Sequence, residues 1–336
     1  MPGPVDTGCG GRTGLDGCCG CTEPQRPRGI RAPLTAPVSP VRACEARTRT
    51  GALRWWHGRS RRHASGFALI DGIPAISIEP DGPARGIALW LAPFGSSAED
   101  MRPFLLRLAT AGWAALSIDP LRHGRRAPES GSRGAGPGEE TVNGNTDDLF
   151  TRTFAAFRAE MWQILGRTTL DAMRTVDWVL EGREDLPVAA GGLSMGGDMA
   201  VALAGIDTRI GRVAAVASTP DWTRPGMHAL DGDRGVIDQG EPTASSAWLE
   251  QHLDPMRHVS AFDRDLDILF IQGAADTHVP PEASQRFRDL LATSRAHVEV
   301  ELTPGLGHEV CLDPRAQHHA LLHLVDGAGD RVRRDR

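Results

Sequence analysis

Gly192-Leu193-Ser194-Met195-Gly196-Gly197 is the stretch on which the reading of this chain turns. It follows the apolar run Pro187-Val188-Ala189-Ala190. A helix-like run follows it, Asp198-Met199-Ala200-Val201-Ala202-Leu203-Ala204. Strand, Gly-x-Ser-x-Gly, helix is the arrangement of a nucleophile elbow. The serine sits on a sharp turn, and its hydroxyl projects above the sheet. Neighbours without Cβ let strand and helix close against each other there. The helix N-terminus aims free N–H groups at any oxyanion that forms beside the serine. The bland reading is a turn of small residues. The strand before and the helix after favour the catalytic one.

Working outward, apolar strands alternate with amphipathic helices. Phe67–Ile70, an Asp71-Gly72 turn and Ile73–Ile78 predict a hairpin. Strands are expected at Ile87–Ala92, Ala114–Ile118, Pro187–Gly191, Val213–Ala217, Ile268–Gln272 and Val298–Leu302. Helices are expected at Asp100–Thr110 and Glu160–Leu180. Continuous apolar strands separated by helices imply a mostly parallel sheet covered on both faces. Two stretches break the rhythm. Arg125–Asp148 is Gly- and charge-rich and predicts a loop. Asp221–His258 scatters Trp222, Met227, Trp248 and Met256 among polar residues. Both follow the C-terminal ends of strands, where open α/β sheets bind ligands. Insertions at about 125–150 and 221–258 therefore read as a lid or pocket wall, or alternatively as plain surface insertions. Trp222, Met227 and Trp248 are the expected pocket residues, although core packing would account for them equally well.

A serine hydroxyl needs a base, and the base needs an orienting acid. In this architecture their order is Ser, then Asp or Glu, then His. Asp276 lies just after the strand Ile268–Gln272; a helix N-cap is its bland reading. His308 lies after the last strand, in Pro304-Gly305-Leu306-Gly307-His308-Glu309, ahead of a terminal helix. His278 is the runner-up, but it stands very close in sequence to the proposed acid. His318, His319 and His323 read as exposed faces of the last helix. The oxyanion donors are expected to be the backbone N–H groups of Met195 and Phe94. Asp119, after the next strand, reads as pinning the loop under the site, with Arg122 or His123 bordering the pocket.

These residues carry a resemblance to the α/β-hydrolase family over about residues 66–325. Within it the chain looks most like dienelactone-hydrolase and prolyl-oligopeptidase-related serine esterases. The matching features are Gly192–Gly197, the Asp-x-x-x-His-Gly stretch at Asp119–Gly124, Asp276 before Val279-Pro280, and Gly307-His308. The resemblance implies an α/β-hydrolase fold with an eight-stranded, mainly parallel sheet, helices on both faces and a small lid. It also implies a Ser194, Asp276, His308 triad. Two departures matter. Dienelactone hydrolases proper use a cysteine nucleophile, so diene-lactone chemistry is not expected of Ser194. Ala92-Pro93-Phe94-Gly95 stands where many esterases have a His-Gly start. The stretch before residue 66 is too short for a β-propeller, so an oligopeptidase proper is not expected.

Composition bounds the rest. The 336 residues are 40% hydrophobic, enough for one large α/β domain. No run of 18 apolar residues predicts a membrane span, and Met1–Asp6 does not read as a secretory signal. All 37 basic residues are arginine, and the net charge of −6 is no nucleic-acid signature. Missing lysine and tyrosine track A/T-rich codons rather than a function. Residues 1–63 hold eleven Arg against four acids and five of the six cysteines. The cysteine spacing fits no metal motif, so residues 1–65 read as a disordered Arg/Pro/Gly-rich tail. Residues 326–336 read as a short charged tail. One cysteine in the body, Cys311, fits the cytoplasm. The expected function is a serine carboxylesterase-like hydrolase of a small-molecule acyl substrate, with no metal or cofactor. Acyl transfer, or peptide and amide cleavage, uses the same triad. A non-catalytic binding module is the third reading. The pattern allows a homodimer and leaves the oligomeric state open.

Overall fold

The hydrophobic pattern resolves into one eight-stranded sheet with helices on both faces. The computed structural model describes residues 65–128, 144–230 and 235–326. Of the expected tails, 1–65 and 326–336, residues 1–64 and 327–336 lie outside the described residues, whereas Ser65 begins the first strand and Asp326 ends the last helix. The strands are β1 (Ser65–Ile70), β2 (Ile73–Ile78), β3 (Ile87–Leu91), β4 (Ala114–Ile118), β5 (Val188–Leu193), β6 (Ile210–Val216), β7 (Asp267–Gly273) and β8 (His297–Thr303). Their order is β1-β2-β4-β3-β5-β6-β7-β8. β1 and β2 are antiparallel to their neighbours, and every later pairing is parallel. The sheet is thus mostly parallel, as expected, with a mixed edge.

Local chemistry explains that edge. Asp71 and Gly72 both take positive φ, 49° and 85°, as a two-residue type I′ turn requires. That turn fixes the register Ile70↔Ile73 through Ser65↔Ile78. The other edge, β8, has no fully buried position, and Glu299 and Glu301 break its apolar run. Charges on an outer strand discourage edge-to-edge pairing with another chain.

Seven helices cover the sheet among the described residues: α1 (Arg102–Thr110), α2 (Gly144–Ala155), α3 (Phe157–Leu180), α4 (Met195–Ile206), α5 (Ala244–Leu253), α6 (Glu282–Leu290) and α7 (Pro314–Asp326). One core layer joins α1 and α7 to the sheet through Phe104, Leu105, Leu108, Ala320 and Leu324. The other joins α3, α4, α5 and α6 through Ile164, Leu165, Met199, Leu249 and Phe287. α4 is buried from Met195 through Ala204 because it runs between the sheet and α3. The loop expected over Arg125–Asp148 needs correction at its end: helix α2 begins at Gly144. Leu149, Phe154 and Phe157 provide an apolar stripe that packs α2 and the start of α3 onto the core.

The elbow is the tightest place in the fold. Ser194 sits between β5 and α4 at φ 49°, ψ −121°. A Cβ on Gly192 would strike the Gly196 carbonyl group, and one on Gly196 would overlap the Leu91 carbonyl oxygen. These are backbone obstacles, which cannot swing aside. Gly196→Ala is expected to lose about 3 kcal/mol or more in urea unfolding. Gly82→Ala faces open space and is expected to stay within about 0.5 kcal/mol.

Candidate active site

Each loop at the C-terminal edge of the parallel strands delivers one group. β5 ends in Ser194. Its N–H donates to the Val216 carbonyl at 2.8 Å, and its own carbonyl accepts from Ser218 Oγ at 2.9 Å. Both ends of the strained residue are therefore held by the β6 side. The loop after β7 brings Asp276, fully buried, and the loop after β8 brings His308, 17% exposed. Ser194 Oγ lies 2.9 Å from His308 Nε2, and His308 Nδ1 lies 2.8 Å from Asp276 Oδ2. A carboxylate on Nδ1 fixes the proton there and leaves Nε2 basic toward the hydroxyl.

The two loops are locked by their backbones. Ala274 N–H donates to Thr303 O at 3.0 Å and Ala275 N–H to Leu306 O at 2.9 Å. Gly273 lies so close to the Leu306 and Gly307 carbonyls that any Cβ there would overlap them. Asp276 Oδ1 accepts the N–H groups of His278 and Val279 at 2.9 and 2.8 Å. One carboxylate oxygen therefore anchors its own loop and the other orients His308.

The expected oxyanion donors are the Met195 and Phe94 N–H groups. Met195 is the first residue of α4, and Phe94 follows β3. Neither N–H has an acceptor among the described residues. The Phe94 loop is pinned from below by Asp119: Oδ1 accepts Ala98 N–H and Oδ2 accepts Arg125 N–H, both at 2.8 Å. The buried His123 ring meets Phe94 edge-on, with centroids 5.0 Å apart. Burial pushes His123 below the ordinary histidine range.

The structure does not gather the three expected pocket residues. Trp222 and Met227 are fully buried in the core. Trp248 is 53% exposed on α5 and stacks on His252. A cavity of about 630 Å³ is instead lined by Phe150 and Phe154 of α2 and by Leu230, Val236, Ile237 and Asp238. Phe154 connects it to the site, lying 5.7 Å from the Phe94 ring and 5.6 Å from that of His278. The i, i+4, i+7 spacing of Phe150, Phe154 and Phe157 was the available signal for this wall. His318 and His319 are exposed on α7, whereas His323 is half-buried and pushed down to about 4, mainly by burial.

A buried ion pair lies beneath the site, and no local sequence pattern signals it. Asp198, four residues after Ser194 on α4, pairs with Arg224, and both side chains are almost wholly inaccessible. Asp198 also accepts Thr219 N–H at 2.7 Å. Burial pushes its carboxyl above the ordinary range, against the pull of Arg224. The Arg224 guanidinium also lies over the Phe157 ring at 5.4 Å. Among the described residues no three His, Cys, Asp or Glu side chains converge as a metal site needs. No helix there is long and apolar enough to cross a membrane.

Residues 164–326 match the model of the prolyl oligopeptidase family. Among solved structures, TT1662 from Thermus thermophilus superposes with TM-score 0.57 at 20% identity, over 79% of this chain and 99% of that one. A puromycin-hydrolyzing peptidase from Mycobacterium tuberculosis gives 0.54 at 13%, over 79% of this chain and 40% of that one. The present chain thus spans well under half of that peptidase. Acetyl xylan esterase 1 from Thermoanaerobacterium sp. JW/SL YS485 gives 0.51 at 16%, over 80% and 84%. At these identities the likeness concerns the fold. No curated protein sequence matches the chain.

Two outcomes are expected. Arg224→Met leaves Asp198 buried without its partner, and unfolding free energy should fall by about 3–5 kcal/mol in denaturant titration. His278 is pushed down to about 3, first by burial and then by nearby Arg224 and His308. Below pH 6.5 the unfolded chain therefore binds a proton that the folded chain refuses. The stability gained from the neutral ring is present above 6.5 and lost as the pH falls. From pH 6.5 to 5 this loss is about 2 kcal/mol. His278→Phe should flatten that part of the stability–pH curve.

Proposed function

We propose that this chain is a serine hydrolase of the α/β-hydrolase type, acting on carboxylic esters or related acyl compounds; the eight-stranded sheet and the match of residues 164–326 support that reading. The observation that carries the proposal is the continuous relay from Asp276 through His308 to Ser194, with contacts of 2.8 and 2.9 Å. Ser194 Oγ attacks the acyl carbonyl carbon while His308 Nε2 takes its proton. Asp276 holds the imidazole in the required tautomer and stabilises the imidazolium. The Met195 and Phe94 N–H groups receive the oxyanion, and each such donor lowers the barrier by about 3–4 kcal/mol. His308 then gives its proton to the leaving group. Water, deprotonated by the same nitrogen, attacks the acyl-enzyme and frees Ser194. The chemistry needs no metal or cofactor. A cytoplasmic setting is part of the same proposal and fits a body, residues 64–336, with a single cysteine.

Peptide or amide cleavage on the same triad is the second reading. The match of residues 164–326 to the prolyl oligopeptidase family favours it. Pocket shape, rather than the triad, selects leaving group and acceptor. An ester and an amide of one acyl group, assayed with and without an added alcohol or amine, separate hydrolysis of each from acyl transfer.

The decisive test is hydrolysis of p-nitrophenyl esters of increasing acyl length, with fluorophosphonate labelling alongside. Ser194→Ala should lose labelling and at least about ten-thousandfold in kcat. Asp276→Asn should keep the fold and lose about ten-thousandfold in kcat. Equal turnover by wild type and Ser194→Ala would remove Ser194 from the chemistry.

A further inference from the structure

His278 stands beside the candidate base yet takes no part in the relay. Its ring lies 5.0 Å from the His308 ring, crossing it at 74°. On its other side it meets Phe154, a wall of the 630 Å³ cavity, at 5.6 Å. The residue is only 5% exposed.

One of its nitrogens is accounted for. Nδ1 lies 2.8 Å from the His228 carbonyl oxygen. A carbonyl only accepts, so Nδ1 carries the ring proton and Nε2 carries the lone pair. No described residue donates to Nε2. The low affinity of this ring for a second proton keeps Nε2 an acceptor at neutral pH. The acceptor is also rigidly mounted. Asp276 Oδ1 holds the His278 backbone, His228 N–H donates to Thr277 O at 2.9 Å, and His228 pairs with Val236. Arg224, tied to Asp198, fixes the segment that leads to His228.

We propose that His278 determines specificity: its Nε2 accepts a hydrogen bond from an O–H or N–H donor on the acyl group, close to the scissile carbonyl. The apolar remainder of that group fills the cavity between Phe150, Phe154 and Ile237. The substrate class is thus a bulky, donor-bearing acyl compound, such as a hydroxyacyl ester, rather than a plain fatty acyl ester. The physical reason is an asymmetry of cost. A plain acyl group displaces water from Nε2 and returns no donor, so a buried acceptor is left unpaired. A donor-bearing group restores the bond. This inference rests on Ser194 and His308 acting as nucleophile and base.

The test compares p-nitrophenyl mandelate and p-nitrophenyl β-hydroxy-β-phenylpropanoate with their O-methyl ethers. The ethers remove the donor but add a methyl group, so the deoxy esters, p-nitrophenyl phenylacetate and p-nitrophenyl 3-phenylpropanoate, are assayed beside them as the smaller donor-free controls. The readout is the kcat/KM ratio, hydroxyl over ether, for wild type, His278→Gln and His278→Phe, with melting temperatures measured for each. Wild type should favour at least one hydroxyl ester by about tenfold. His278→Phe should bring that ratio close to one. His278→Gln, whose amide oxygen accepts, should retain part of it. His278→Met repeats the comparison if the phenylalanine variant does not fold. No preference in wild type, or an undiminished preference in His278→Phe, overturns the proposal. Fluorophosphonate labelling of Ser194 in the same samples separates the two levels. Labelled protein without the ratio change refutes the role of His278 alone. Absence of labelling and turnover refutes the serine mechanism, and this inference with it.

Discussion

Three backbone segments meet at one point, and the rest of the site depends on that contact. Leu91 at the end of β3, Gly192 in β5 and Gly196 in α4 approach so closely that no Cβ fits between them. The approach forces Ser194 into a conformation that L-residues seldom adopt, φ 49°. The surrounding structure stabilises it: Val216 accepts its N–H, Ser218 donates to its carbonyl, and α4 is buried behind it. The strain has a use. It lifts the hydroxyl out of the sheet edge and sets the first N–H of a helix beside it.

Asp276 and His308, the proposed acid and base, solve a different problem. They sit on loops 32 residues apart in sequence, and loops are ordinarily mobile. Here the loops after β7 and β8 hydrogen-bond to each other through main-chain groups, and Gly273 lets them cross. Asp276 then serves two partners with its two oxygens. A rigid mount matters because misplacement by about 1 Å can cost a hundredfold in rate. On the opposite side, Asp119 does the same for the Phe94 loop.

A second layer of charge lies beneath this arrangement. Asp198 and Arg224 are buried together, one on the helix that follows the serine and the other on the segment that leads to His228. A buried pair gains little net stability over apolar residues, but breaking it is costly. Its consequence here is geometric. It ties α4, which follows Ser194, to the segment whose His228 carbonyl holds the His278 ring.

The sequence alone determined the elements whose signals are local. Periodicity gave the eight strands, the Asp71-Gly72 turn gave the hairpin, and the small residues around Ser194 gave the elbow. Chain order then singled out Asp276 and His308, whose side chains the fold brings into contact with each other and with Ser194. The stretch before α2 hid its helix, because Gly-rich sequence masks the start of the Phe150, Phe154, Phe157 stripe. Tertiary structure alone decided which aromatics face the cavity. Trp222 and Met227 were drawn into the core, and Trp248 was left outside, because burial depends on what packs opposite a side chain rather than on its type. It also decided that Asp198 meets Arg224 and that His278 flanks His308. Those contacts join residues 26 and 30 positions apart, and no local pattern encodes the folding that brings them together.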